Sequence, residues 1–137
     1  MVSETLVVKN HIGEVGRVNE ALREFWVGHG LPRNFEVPVT LCLEEVLSNV
    51  IRHGCEPGRE YDIQVSYRVA GSGIEVDVID SARPFDPLTL PPPNLDLPLE
   101  RRKAGGLGVF MVRQMMDNVR YEYCGGRNCF HFEKHWA

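Results

Sequence analysis

Ile63, Val65, Tyr67 and Val69 alternate with Gln64, Ser66 and Arg68, and after Gly71-Ser72-Gly73 the same pattern returns in Ile74, Val76 and Val78. Successive strand side chains point to opposite faces, so this alternation commits one face to a core and the other to water. The glycine-bearing connection makes the pair an antiparallel hairpin. A second hairpin is expected at Tyr121 to Tyr123 and Asn128 to Lys134, turned by Gly125-Gly126. Residues 5 to 12 read as a further, more loosely patterned strand.

A sheet with one apolar face needs a second layer to cover it. Val15, Val18, Leu22, Phe25 and Trp26 recur at helical spacing and predict a helix that closes at Gly28 and Gly30. From Asn34 to His53, Val39, Cys42, Leu43, Val46, Leu47, Val50 and Ile51 form a longer apolar stripe. Asn34 is a candidate N-cap there, and Pro38 is tolerable near the first turn. Val109, Val112 and Met116 predict a third helix over 108 to 117. The order is strand, helix, helix, two strands, loop, helix, two strands. That is α+β, a two-layer sandwich with helices on one face of an antiparallel or mixed sheet.

Residues 81 to 104 fit neither layer. They hold Pro84, Pro87, Pro91, Pro92, Pro93 and Pro98 and end in Glu100-Arg101-Arg102-Lys103. Proline at this density blocks both helix and sheet ladders. A loop of this length inside a compact domain reads as a lid over a ligand. Since helical patterning resumes beyond it, residues 1–137 are taken as a single domain, a size at which one core suffices.

Composition excludes some classes. A net charge of -4 argues against a dedicated nucleic-acid binder. No apolar run approaches the ~18 residues of a membrane helix, and the N-terminus lacks a signal pattern, so a cytoplasmic protein is expected. Cys42, Cys55, Cys124 and Cys129 form no CxxC pair and have no histidine at zinc-finger spacing. They are expected to be reduced, mostly buried thiols.

Three features carry chemistry, each with a plain alternative. Glu45 and Asn49 are four residues apart on the second helix and share a face, either as part of a solvated stripe with Glu44 and Ser48 or to position a hydroxyl and a hard metal ion. Asp80 ends a strand, as an acidic turn residue or as an acceptor for a ligand amino group such as that of adenine. Gly105, Gly106 and Gly108 precede the third helix, as a mobile connector or as a phosphate cradle.

The ordered set EEVLSNVIRH, VDVIDSARPFDP, AGGLGVFMVRQMMDNVRYEY and GRNCFHFEK resembles the bacterial anti-sigma factor serine/threonine kinases. These belong to the ATPase superfamily of gyrase, histidine kinases and MutL. The resemblance spans nearly the whole chain and implies the Bergerat ATP-binding fold, with residues 81–104 as the ATP lid. It implies Glu45 as general base, Asn49 as magnesium ligand and His53 as the histidine closing that motif. Asp80 would recognise adenine, with Ala82 and Phe85 beside it. Gly105, Gly106, Leu107, Gly108 and Val109 would hold the phosphates of ATP, joined by Arg101 or Arg102. Ala82 stands where the family's Asp-x-Gly motif has glycine, which puts nucleotide affinity in question.

The activity implied is that of an ATP- and magnesium-dependent protein kinase and anti-sigma factor. Its partners would be a sigma factor and an anti-anti-sigma (STAS) protein, whose serine it phosphorylates in a partner switch. A homodimer is expected from the resemblance alone, with neither nucleic acid nor membrane as a direct partner. The alternative is a nucleotide-binding regulatory module without kinase turnover. A histidine-kinase catalytic domain fits less well, because no dimerisation helix or phosphoacceptor segment precedes it here.

Overall fold

The structure, a computed structural model, describes residues 2–89 and 106–136, with only the backbone at 106 and 107. The chain runs β1 (Ser3–Lys9), α1 (Glu14–Gly28), α2 (Glu36–Asn49), β2 (Asp62–Val69), β3 (Gly73–Asp80), α3 (Gly106–Met115), β4 (Asn118–Cys124) and β5 (Arg127–His135). The five strands form one sheet in the order β1-β2-β3-β5-β4. Every pairing is antiparallel, which resolves the expected mixed or antiparallel sheet in favour of the latter.

Register follows from side-chain parity. Val65 lies opposite Leu6 and Val78, Val78 opposite Phe130, and Phe130 opposite Tyr121. One face therefore collects Ile63, Val65, Tyr67, Ile74, Val76, Val78, Phe130 and Phe132, all buried. The helices cover that face with Val18, Leu22, Trp26, Val39, Leu43, Leu47 and Val112. Each large side chain fully removed from water contributes about 1.5–3 kcal/mol, so the two-layer core is the main source of stability. Phe25 and Trp26 belong to it: Phe25 meets Tyr67 edge-on at 4.8 Å, and the Trp26 indole N–H donates to the Pro32 carbonyl at 2.9 Å.

The helix ends differ in part from the sequence reading. α1 closes as expected, with Gly30 at φ 61° and the Leu31 N–H reaching back to the Trp26 carbonyl at 3.1 Å. Asn34 does not cap α2. It lies within a 3₁₀ turn, Arg33–Phe35, and Phe35 takes the cap position without a side-chain hydrogen bond. The turn tightens the chain one step before the helix begins, which leaves Asn34 too far upstream to cap it. Beyond Asn49 the helix continues as a π turn, Val50–Gly54. Such a turn carries one extra residue per hydrogen-bonded ring and often lies at functional sites.

The cysteines are free, and only Cys42 is buried; Cys55 and Cys129 are half-buried and Cys124 is exposed, fewer buried thiols than expected. Cys124 ends β4 beside the hairpin turn, where no second layer covers it. Burial pushes the Cys42 thiol up to about 12. The proline-rich loop begins with an anchored segment rather than a free one. Leu88 N–H donates to Asp86 Oδ1 at 2.9 Å, Pro87–Thr89 form a 3₁₀ turn, and the Arg113 guanidinium on α3 holds the Leu88 carbonyl at 2.9 Å. The remainder of the expected lid, from residue 90 onward, lies outside the described residues. Among the described residues, no helix is long and apolar enough to cross a membrane.

Candidate functional site

α2, its π turn, the end of β3, the start of β5 and the start of α3 meet at one end of the sheet. Val46, Asn49, Val50, Gly54, Asp80 and Phe85 are among the residues that line a narrow hollow there. Asn49 of the helix motif and Asp80 of the strand motif open into the same space.

Asp80 is the last residue of β3 and keeps the inward parity of Ile74, Val76 and Val78. A carboxyl thus sits at a core position, 4% exposed. Burial raises its pKa above the usual aspartate range, while Asn128 and the Ala82 N–H pull it back. Both bonds reach Oδ1, from Ala82 N and from Asn128 Nδ2, each at 3.0 Å.

Asn49 is 3% exposed, and its Oδ1 has no hydrogen-bond partner among the described residues. A buried amide oxygen left unpaired costs about 1–3 kcal/mol, so it marks a place where a ligand is awaited or a cost is tolerated. Glu45, one turn earlier, turns its carboxylate against the backbone of α3. A Cβ built on Gly108 would fall 2.8 Å from the Glu45 carboxyl carbon and nearer still to Oε2. Glu45 of the helix motif and Gly108 of the glycine cluster therefore meet across α2 and α3.

His53 closes the motif in the π turn, and its ring lies 5.4 Å from that of Phe85. The His53 carbonyl accepts from Arg83 Nε at 2.9 Å, and the Gly54 carbonyl from Arg83 N–H. The side chain of Ala82 is accommodated: it is 3% exposed, and its backbone has no positive φ. A Cβ added at Gly54 would stand 3.4 Å from the Ala82 methyl, an ordinary contact. Gly106, Leu107 and Gly108 form the first turn of α3, and Val109 beside them is buried. Arg101, Arg102 and Gly105 lie outside the described residues.

Two residues of the site escape a motif reading. Asn128 and Tyr121 come from β5 and β4 and grip the loop after Asp80. The signal was parity: Asn128 shares the inward phase of Phe130 and Phe132, so an amide was destined for the core beside Asp80, its cross-strand partner.

Residues 8–134 match the histidine kinase-like ATPase domain. Over 117 residues the chain is 26% identical to the serine/threonine-protein kinase BtrW of Bordetella bronchiseptica, covering 85% of this chain and 79% of that protein. It is 28% identical over 90 residues to the serine-protein kinase RsbW of Listeria innocua, 63% of this chain and 57% of that one. It thus spans little more than half the length of the RsbW relative. In three dimensions it resembles the RsbU and RsbW domains of Rv1364c from Mycobacterium tuberculosis, with TM-score 0.70 and 16% identity, over 98% of this chain and 32% of that one. The histidine kinase domain of a blue-light activated kinase from Erythrobacter litoralis shares the fold at TM-score 0.57 and 18% identity, over 90% of this chain and 60% of that one.

Proposed function

The chain belongs to the histidine kinase-like ATPase domain family, and from that premise we propose that it is an ATP-dependent protein serine/threonine kinase acting as an anti-sigma factor. Its partners are a sigma factor and an anti-anti-sigma protein of STAS type, and the setting is the cytoplasm. The names of the kinase relatives support the activity. The observation that carries the assignment to residues is that Asn49 and Asp80 line one hollow while Glu45, one turn before Asn49 on α2, lies against Gly108 in the first turn of α3.

In this reading, Asp80 accepts a hydrogen bond from the adenine amino group, and Phe85 and His53 border the base. The first turn of α3 offers unpaired N–H donors and the positive end of a helix dipole to the phosphates. Gly108 leaves room there for the Glu45 carboxylate. Glu45 takes the proton from the partner's serine hydroxyl as its oxygen bonds to the γ-phosphorus and the bond to ADP breaks.

Magnesium fits the residues present. The buried Oδ1 of Asn49, unpaired among the described residues, is a hard oxygen donor of the type the ion prefers. Held there by Asn49, the ion would supply positive charge to offset that building on the phosphates during transfer.

The test is transfer of labelled γ-phosphate from ATP to a cognate STAS protein by wild type and by Glu45→Ala. Transfer by the wild type and its loss in the variant are expected. Tight ATP and partner binding with no labelled product from the wild type would refute kinase turnover and leave a regulatory nucleotide-binding module.

A further inference from the structure

Asn128 uses all its polar capacity inside the protein. Its Nδ2 faces Asp80 Oδ1 at 3.0 Å, the Arg83 carbonyl at 3.1 Å and the Ala82 carbonyl at 3.2 Å. Its Oδ1 accepts from the Phe85 N–H at 3.2 Å and from the Tyr121 hydroxyl. The amide has one chemically sensible orientation. A main-chain N–H can only donate and a main-chain carbonyl only accept, so a flipped amide would set like against like on both sides.

The consequence falls on Asp80. Its two hydrogen bonds both land on Oδ1. Among the described residues, Oδ2 receives none, and the Asp80 carboxyl lines the hollow. One oxygen is saturated with donors and the other is left as a bare acceptor.

We propose that Asn128, steadied by Tyr121, is the positioning residue that sets purine selectivity: it pins Asp80 so that the site accepts a 6-amino purine and turns away a 6-oxo purine. The inference rests on reading Asp80 as the group that faces the base. Against a 6-amino group, the free oxygen of a carboxylate finds a donor. Against a 6-oxo group it meets a second acceptor, an unpaired arrangement that costs ~10-fold or more in affinity. The discrimination holds only while Asp80 stays an acceptor. Without the Asn128 donor, Asp80 takes up a proton more readily, and its O–H can then donate to a 6-oxo purine. The same network explains how Ala82 is tolerated where a glycine is usual: the loop is set by clips to 82, 83 and 85 rather than by a glycine hinge.

The experiment measures the affinities of ADP and IDP for wild type, Asn128→Asp, Tyr121→Phe and Asp80→Asn. Asn128→Asp keeps the shape and the acceptor for Phe85 and Tyr121 but replaces the amide donor by a second carboxyl, which shares a proton with Asp80 and so ends its standing as a fixed acceptor. The wild type should prefer ADP. The preference should fall about 10-fold in Asn128→Asp and in the same direction, by less, in Tyr121→Phe. If Asn128→Asp does not fold, Tyr121→Phe carries the comparison, since its hydroxyl is the only group lost. Equal weakening of ADP and IDP in these variants, with the ratio unchanged, overturns the proposal, since mere damage to the pocket acts on both. Asp80→Asn, which can donate to a 6-oxo group, should lower or invert the ratio. An unchanged ratio there would overturn the assignment of Asp80 itself, and the present inference with it.

Discussion

The Glu45 carboxylate packs so closely on the Cα of Gly108 that no larger residue fits without moving it. Two helices, α2 and α3, thereby bring a carboxylate beside the first turn that would receive phosphates. In Gly108→Ala the new methyl meets the far end of a flexible side chain rather than backbone, so Glu45 swings aside and the fold survives. Alanine also gains about 0.5–1 kcal/mol over glycine in helix propensity, which offsets the strain. Melting temperature should change little while phosphotransfer falls ~100-fold or more. A variant that keeps its transfer rate would show that Glu45 need not hold this position.

Asn49 makes the opposite trade between function and stability. Its Oδ1, unpaired among the described residues, costs the folded protein about 1–3 kcal/mol. Asn49→Val removes the unpaired group at similar volume, so it should melt no lower than wild type. Its ATP affinity should no longer respond to magnesium. Calorimetric titration with and without the ion, alongside a thermal melt, separates the two effects. A lower melting temperature together with intact magnesium dependence would mean Asn49 is a structural amide.

The sheet and its covering helices were legible because parity and helical spacing are local signals, and the hairpins at 62–80 and 118–135 follow them closely. Glu45, Asn49 and Asp80 were legible as motif residues, but the close approach of Glu45 to Gly108 was not, because it depends on α3 crossing α2. Asn34 failed as a cap because a preceding 3₁₀ turn displaced the helix start, a choice made by a few weak local bonds. Asn128 and Tyr121 were missed because parity announces only that Asn128 turns inward, whereas its bonds to Asp80 and to the loop after it, and the Tyr121 hydroxyl on its Oδ1, are set by tertiary packing.

Asp80 should carry a stability cost that its substitution relieves. Burial holds its folded pKa above that of an ordinary aspartate. The folded state therefore keeps this proton to higher pH than the unfolded chain does. Stability falls as pH rises through that interval, and the deficit persists at neutral pH. Asp80→Asn removes the charge and keeps an acceptor for the Ala82 N–H. It should melt at or above the wild-type temperature at neutral pH, and saturating ATP should raise the melting temperature of the wild type but not that of the variant. Scanning fluorimetry with and without ATP reads both quantities, and a destabilised variant would contradict the burial argument.

Glu133 has the reverse sign. It sits on the sheet face that the helices leave uncovered, yet three side chains converge on it: His131 Nε2 at 2.7 Å, Asn118 Nδ2 at 3.0 Å and His135 Nε2 at 3.1 Å. His131 is anchored from the other side by Asp77 at 2.8 Å, and Arg68 bridges Asp77 and Glu75. The His131 hydrogen bond, aided by His135 and Asn118, holds the Glu133 carboxyl at about 2, below its ordinary 4.5. A depressed carboxylate contributes stability that is fully present above its unfolded pKa and is lost as pH falls through the folded one. The wild type should therefore lose stability steadily from about pH 4.5 to about pH 2. Glu133→Gln should be less stable by on the order of 1 kcal/mol at pH 6, a figure reduced for solvent screening on an open face. Its stability should fall less steeply over the acid window, so that the two proteins converge at low pH. Urea unfolding at a series of pH values measures this, and parallel curves across the whole window would place the acid sensitivity elsewhere.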